Sequence, residues 1–92
     1  MPIQKVAVIG SGVMGAGIAA QVANSNTEVL LLDIVPKDAK DRNQLTKAAL
    51  QRIEKSDPAM ISSRRKLKLI QIGNLEDDIE KIKDCDWIIE LS

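Results

Sequence analysis

Ninety-two residues, thirteen basic and thirteen acidic, give a formal net charge of zero, which argues against a nucleic-acid partner or an anionic membrane partner. Trp87 is the single aromatic residue and histidine is absent, so a base-stacking platform, a histidine metal site and a histidine general base are all excluded from these residues. The length fits one small domain, no apolar run approaches the ~20 residues of a membrane span, no secretory leader is read at the start, and the lone Cys85 permits no internal disulfide, as expected in a reducing, cytoplasmic compartment.

The first predicted element is a buried strand over Lys5–Ile9. It runs into Gly10-Ser11-Gly12-Val13-Met14-Gly15, and an alanine-rich helix follows to about Asn24. A glycine at position 10 suits a sharp exit from the strand. Gly12 leaves room for a pyrophosphate to approach the backbone, and Gly15 allows the helix to pack closely on the strand. The helix start offers unpaired N–H groups and partial positive charge to phosphates. Ser11 is small and has a hydroxyl to offer; Met14 suits either the cofactor or the core. A second strand over Glu28–Leu32 is an unbroken apolar run after its first residue, and Asp33 closes it eighteen residues after Gly15. Strand, glycine turn, helix and spaced acid together form the dinucleotide fingerprint. A carboxylate there accepts the ribose hydroxyls of the adenosine half and repels a 2′-phosphate. No arginine follows Asp33 immediately (the next residues are Ile34, Val35, Pro36 and Lys37), so the pattern favours NAD over NADP.

Pro36 predicts the start of a second helix reaching about Ser56, with Leu45, Ala49 and Ile53 as its buried stripe. Asp57-Pro58 reads as a restart, and a third helix is expected over about Ala59–Lys68. Its basic cluster, Arg64, Arg65, Lys66 and Lys68, reads as a solvated helix end, with a contact to an anionic substrate handle as the sharper alternative. A third strand is expected over Leu69–Ile72, ended by Gly73-Asn74. A short helix over Leu75 to about Asp84 and a fourth strand over Asp86–Glu90 complete the chain. Cys85 sits between Asp84 and Asp86, whose charges raise a thiol pKa rather than activate it. With right-handed crossovers, the expected sheet order is 3-2-1-4.

Three stretches resemble the NAD-binding domain of 3-hydroxyacyl-CoA dehydrogenases, including the dehydrogenase part of bacterial fatty-acid oxidation proteins. They are Val6-Ala7-Val8-Ile9-Gly10-Ser11-Gly12-Val13-Met14-Gly15-Ala16-Gly17-Ile18-Ala19, Leu31-Leu32-Asp33-Ile34, and Cys85-Asp86-Trp87-Ile88-Ile89-Glu90. The resemblance implies a partial Rossmann-type, doubly wound α/β sheet over 1–92, with helices on both faces. The residues assigned to NAD are Gly10, Ser11, Gly12, Val13, Met14, Gly15, Asp33, Ile34 and Glu90. Leu91 departs from the small residue, often alanine, that the family usually carries after the glutamate. The family oxidises 3-hydroxyacyl-CoA to 3-ketoacyl-CoA, using a histidine base that it places further along the chain, together with its partner glutamate and a helical domain. The resemblance therefore implies cofactor binding with no catalytic residue within 1–92, and a 3-hydroxyacyl-CoA partner only in the complete enzyme. The alternative is an inactive nucleotide-binding or self-associating module, joined through an open fourth-strand edge at Trp87–Ile89.

Overall fold

Four apolar runs become parallel strands: β1 (Lys5–Ile9), β2 (Glu28–Asp33), β3 (Ile70–Asn74) and β4 (Trp87–Glu90). The structure is a computed structural model and describes residues 4–38, 40–56, 61 and 63–91. Sheet order is β3-β2-β1-β4, as the crossover argument predicts. In register, Val6 lies between Val29 and Trp87, Val8 between Leu31 and Ile89, and Ile70 pairs with Val29. Side chains alternate along a strand, so these residues share one face.

Helices α1 (Val13–Asn24) and α2 (Gln44–Glu54) contribute to the core on that face. Ala16, Ala19, Ala20 and Ala23 of α1 are buried against Val6, Val8, Val29 and Leu31, with Ala49 and Ile53 of α2 in the same core. Four small side chains let α1 lie close to the sheet, which brings its first turn against the end of β1. The other face is also closed in the middle: Ala7, Leu30 and Leu32 are buried. A Cβ built on Gly73 would lie 3.0 Å from Leu32 and 2.7 Å from the Asp78 carboxyl carbon, so the start of the β3–β4 connection covers that side.

The predicted β1, α1, β2 and β4 are matched within a residue or so, and the remaining elements differ for identifiable reasons. Helix α2 begins at Gln44 rather than near Pro36. Asp38 adopts φ +62°, which no right-handed helix accommodates, and the Asn43 N–H donates to Asp41 Oδ1 at 2.9 Å in a local turn. Ala49 and Ile53 are buried as expected, but Leu45 is only half-buried and Thr46 takes the fully buried place. The Thr46 hydroxyl donates to the carbonyls of Gly73 and Asn43, at 3.2 Å each.

The expected third helix is short: α3 spans Arg64–Leu67, started by the Ser63 hydroxyl accepting the Lys66 N–H at 3.4 Å. The proposed restart at Asp57-Pro58 lies outside the described residues. Strand β3 continues through Gly73 to Asn74 instead of ending at Ile72. The helix expected over Leu75–Asp84 is a turn followed by a 3-10 helix over Ile79–Asp84. Asn74 starts that turn as a cap, its Oδ1 accepting the N–H groups of Glu76 at 3.0 Å and Asp77 at 2.7 Å. Asp78 then folds back to accept the Asn74 N–H at 2.9 Å, and the chain tightens to an i→i+3 bond from Lys81 N–H to Asp78 O.

Lys66 gives the basic cluster a structural task, because its Nζ donates to the Asn24 carbonyl at the end of α1, at 2.8 Å. No helix among the described residues is long and apolar enough to cross a membrane.

Candidate functional site

The turn between β1 and α1 is built on three glycines with three different requirements. Gly10 has φ +113°, a conformation that L side chains rarely adopt, and its N–H donates to the Leu32 carbonyl at 2.8 Å. Gly12 is the N-cap of α1, and its carbonyl accepts the Ala16 N–H at 2.9 Å. No side chain caps this helix and no acidic residue stands in its first turn. Its first N–H groups therefore keep the partial positive charge of a bare helix start. A Cβ on Gly12 would meet nothing within 4 Å, so the space beside the backbone is open. Gly15 is the opposite case: a Cβ there would lie 2.8 Å from the Gly10 carbonyl carbon and closer still to its oxygen.

Asp33, at the end of β2, faces this turn and is fastened to it. Its Oδ2 accepts both the N–H and the hydroxyl of Ser11, at 2.8 and 2.6 Å, and its Oδ1 accepts the Ile34 N–H at 2.7 Å. Partial burial pushes the carboxyl pKa upward, but the Ser11 hydroxyl, the Ser11 N–H and the Ile34 N–H together hold it below the ordinary carboxylate value. Asp33 is thus a committed anion next to an electropositive helix start.

These residues line one groove of about 580 Å³, formed by Gly10, Ser11, Gly12, Val13, Met14, Gly15, Asp33, Glu90 and Leu91. Of the nine residues the sequence assigns to a cofactor, Ile34 alone is missing from that lining; its backbone serves Asp33 while its side chain is exposed. Met14 is 68% exposed and Val13 70% exposed, which settles Met14 on the groove side rather than in the core. Glu90 ends β4 opposite Ile9. Leu91 is fixed by its N–H to the Ile9 carbonyl at 2.9 Å. Its Cδ1 lies 3.5 Å from where a Gly15 Cβ would be, so the larger side chain packs against the turn.

An anionic acceptor at one end, bare N–H donors at the other and open space at Gly12 between them fit a diphosphate ester that carries a vicinal diol. The tie between Ser11 and Asp33 is the part of the site that sequence spacing missed, since 22 residues separate the partners. The basic cluster is elsewhere: Arg64 and Lys68 line a separate cavity with Glu54, Ile61, Ser63 and Leu67. The thiol of Cys85 is pushed up by burial, against Lys5 and with help from Asp84 and Asp86, so it is not an activated nucleophile.

Comparison with known proteins agrees with this geometry. The family model described as "3-hydroxyacyl-CoA dehydrogenase, NAD binding domain" matches residues 5–92. A probable 3-hydroxyacyl-CoA dehydrogenase of Deinococcus radiodurans is 56% identical over 90 residues, covering 98% of this chain and 26% of that protein. A putative fatty acid oxidation complex trifunctional enzyme of Rickettsia felis is 53% identical over 89 residues, covering 97% of this chain and 12% of that one. The crystal structure of 3-hydroxybutyryl-CoA dehydrogenase from Escherichia coli K12 superposes with a TM-score of 0.73 at 31% identity, covering 98% of this chain and 19% of the other. The chain therefore spans about a quarter or less of these relatives' length.

Proposed function

We propose that this chain, which belongs to the 3-hydroxyacyl-CoA dehydrogenase NAD-binding domain family, grips NAD along the groove between Gly10 and Asp33. The diphosphate lies against Gly12 and the first turn of α1, and the adenosine ribose hydroxyls donate to Asp33. Val13, Met14 and Ile34 offer apolar surface around it, and Glu90 and Leu91 border the nicotinamide end. The observation that carries this reading is the pairing of open space at Gly12 with an anionic Asp33 facing the same groove.

In the complete protein, the cofactor accepts hydride as a 3-hydroxyacyl-CoA becomes the 3-ketoacyl-CoA. The residues described supply binding and orientation. The family resemblance implies a histidine base, and the 92 residues hold no histidine; on this reading 1–92 is one part of a larger cofactor domain and does not supply the proton acceptor. Titration calorimetry tests the reading. NAD and ADP-ribose should release heat with one site per chain, and NADP should bind at least tenfold more weakly, because its 2′-phosphate meets the Asp33 carboxylate. Absence of heat at millimolar NAD refutes it. A reducing, cytoplasmic setting is part of this proposal, which fractionation of cells expressing the protein checks.

A second reading concerns assembly. Strand β4 pairs only with β1 among the described strands; along it Trp87 is 57% exposed on one face of the sheet and Ile88 44% exposed on the other. Beside Trp87, an apolar hollow is formed by Val6, Val22, Ser25, Thr27 and Ile89. An apolar strand edge of this kind recruits further strands, and we propose that the 92-residue chain self-associates through it. Light scattering from micromolar to millimolar concentration should show a mass above the monomer; a monomer throughout refutes it.

A further inference from the structure

Asp33 is held by more donors than backbone geometry alone provides. The Ile34 N–H on Oδ1 and the Ser11 N–H on Oδ2 already engage each oxygen once. The Ser11 hydroxyl adds a second bond to Oδ2, and at 2.6 Å it is the shortest of the three, within the range of charge-assisted O–H···O⁻ bonds. Ser11 is 5% exposed, so its hydroxyl is almost enclosed and its single proton is committed to Asp33. A hydroxyl so placed is a poor phosphate donor. It serves instead between Gly10 and Gly12, the stretch of this turn with the least intrinsic backbone restraint. An ionised carboxylate has about four acceptor sites; three are filled from the protein side, and the half-buried Asp33 still lines the groove.

We propose that Ser11 is the positioning residue of this site: its hydroxyl acts through Asp33, fastening the glycine turn to the end of β2 so that the ribose acceptor and the phosphate donors stand at a fixed spacing before a dinucleotide arrives. This rests on the dinucleotide reading above. Ser11 touches the carboxylate and not the reacting atoms, so its loss weakens binding without altering what is bound. It also makes Asp33 easier to protonate, since one of the bonds that favour the anion is gone.

The test uses the 92-residue chain, its Ser11→Ala and Ser11→Thr variants, and both in an Asp33→Asn background. ADP-ribose affinity by calorimetry should fall about tenfold in Ser11→Ala, less than the full value of a bond to a charged group because two backbone donors remain. It should be largely restored in Ser11→Thr, which keeps the hydroxyl. In the Asp33→Asn background the Ser11→Ala effect should shrink to within about twofold. In the ligand-free chain, carboxyl-carbon NMR should show the Asp33 titration moving up in Ser11→Ala and staying low in Ser11→Thr. Unchanged or tighter ADP-ribose binding by Ser11→Ala, when urea titration shows that the variant folds, overturns the proposal. So does a Ser11→Thr variant that behaves like the alanine one. If the parent chain itself takes up no ADP-ribose, the dinucleotide reading has failed, and that is seen before any substitution is made.

Discussion

The same substitution at two glycines three residues apart should have opposite consequences. At Gly15, an added Cβ is driven into the Gly10 carbonyl, 2.8 Å from its carbon, against ordinary contact at about 3.4–4 Å. Both sides of this clash are backbone: Gly15 sits in the first turn of α1, and Gly10 is pinned by its N–H to Leu32 O. Neither side chain rotation nor a small local shift relieves it. Overpacking typically costs 1–3 kcal/mol, and a backbone-on-backbone overlap belongs at or above the top of that range. The better helix propensity of alanine returns only about 1 kcal/mol. For a chain of this size, total stability is on the order of 5–14 kcal/mol, so Gly15→Ala removes a large share of it. At Gly12 the added Cβ meets nothing within 4 Å and φ is −64°, so the fold should lose no more than about 1 kcal/mol, the gap between glycine and alanine at an N-cap. The methyl group, however, would occupy the space in which the diphosphate is proposed to lie. Urea unfolding followed by circular dichroism should show the Gly15→Ala midpoint about 2 M lower and the Gly12→Ala midpoint within about 0.5 M of the parent. Calorimetry should show Gly12→Ala losing NAD affinity by about tenfold or more. A Gly15→Ala midpoint equal to the parent's refutes the packing argument, and a Gly12→Ala variant with unaltered NAD affinity refutes the placement of the diphosphate.

Three further outcomes are expected. Asp33 is held below the ordinary carboxylate value, so its stabilising bonds are complete above that value and are lost as pH falls through the lower folded one. Asp33→Asn should therefore flatten part of the acid limb of stability below about pH 4, read as urea midpoints across pH, and an unchanged acid limb contradicts the assignment. Asn74 is 1% exposed, and its Nδ2 donates to Asn43 Oδ1 at 2.8 Å and Asp77 Oδ2 at 2.9 Å while its Oδ1 accepts two N–H groups. Asn74→Leu should cost about 2–4 kcal/mol in chemical denaturation; a loss under about 1 kcal/mol means that the network is not a stability centre. A charge at the open edge, as in Ile88→Lys, should lower the mass seen by light scattering at high concentration while leaving NAD binding intact, and persistence of the larger species rules out that edge as the contact.

The parts of the fold that were legible in the sequence are those where one strong local signal decides the outcome. The apolar runs at β1 and β2 have no competing interpretation, and α1 is bounded by Gly12 at one end and a turn-forming Asn24-Ser25-Asn26 at the other. Where the sequence misled, a polar side chain had an alternative hydrogen bond that no periodicity reveals. Pro36 looks like a helix start, but Asp41 draws the Asn43 N–H into a turn and Asp38 takes a left-handed φ, so α2 waits until Gln44. Gly73-Asn74 looks like a strand terminator, yet Asn74 is buried inside the strand end as a hub for Asn43, Asp77 and the following turn. Gly73 is there because Asp78 lies against it, and a Cβ would overlap that carboxylate.

The cofactor site shows the same division, and its selectivity is the clearest instance. The sequence favours NAD because no arginine directly follows Asp33, but Arg42 lies only nine residues on, and spacing cannot say whether it reaches back to a 2′-phosphate. In the structure its guanidinium is already occupied: Nε donates to Asp77 Oδ2 at 2.7 Å, and Nη2 donates to Asp77 Oδ1 at 3.1 Å and Glu76 Oε2 at 3.3 Å. All three side chains are more than half exposed, so the pairing adds little to stability. Its consequence is for recognition. Turning Arg42 toward a 2′-phosphate would break a two-pronged contact with Asp77, and Asp77 also anchors the buried Asn74. Asn74 in turn pairs in register with Asp33. On the reading proposed above, Asp33 disfavours a 2′-phosphate at the end of β2, and the guanidinium that could have met it is engaged with Asp77 after the end of β3, so both strand ends would contribute to a preference for NAD.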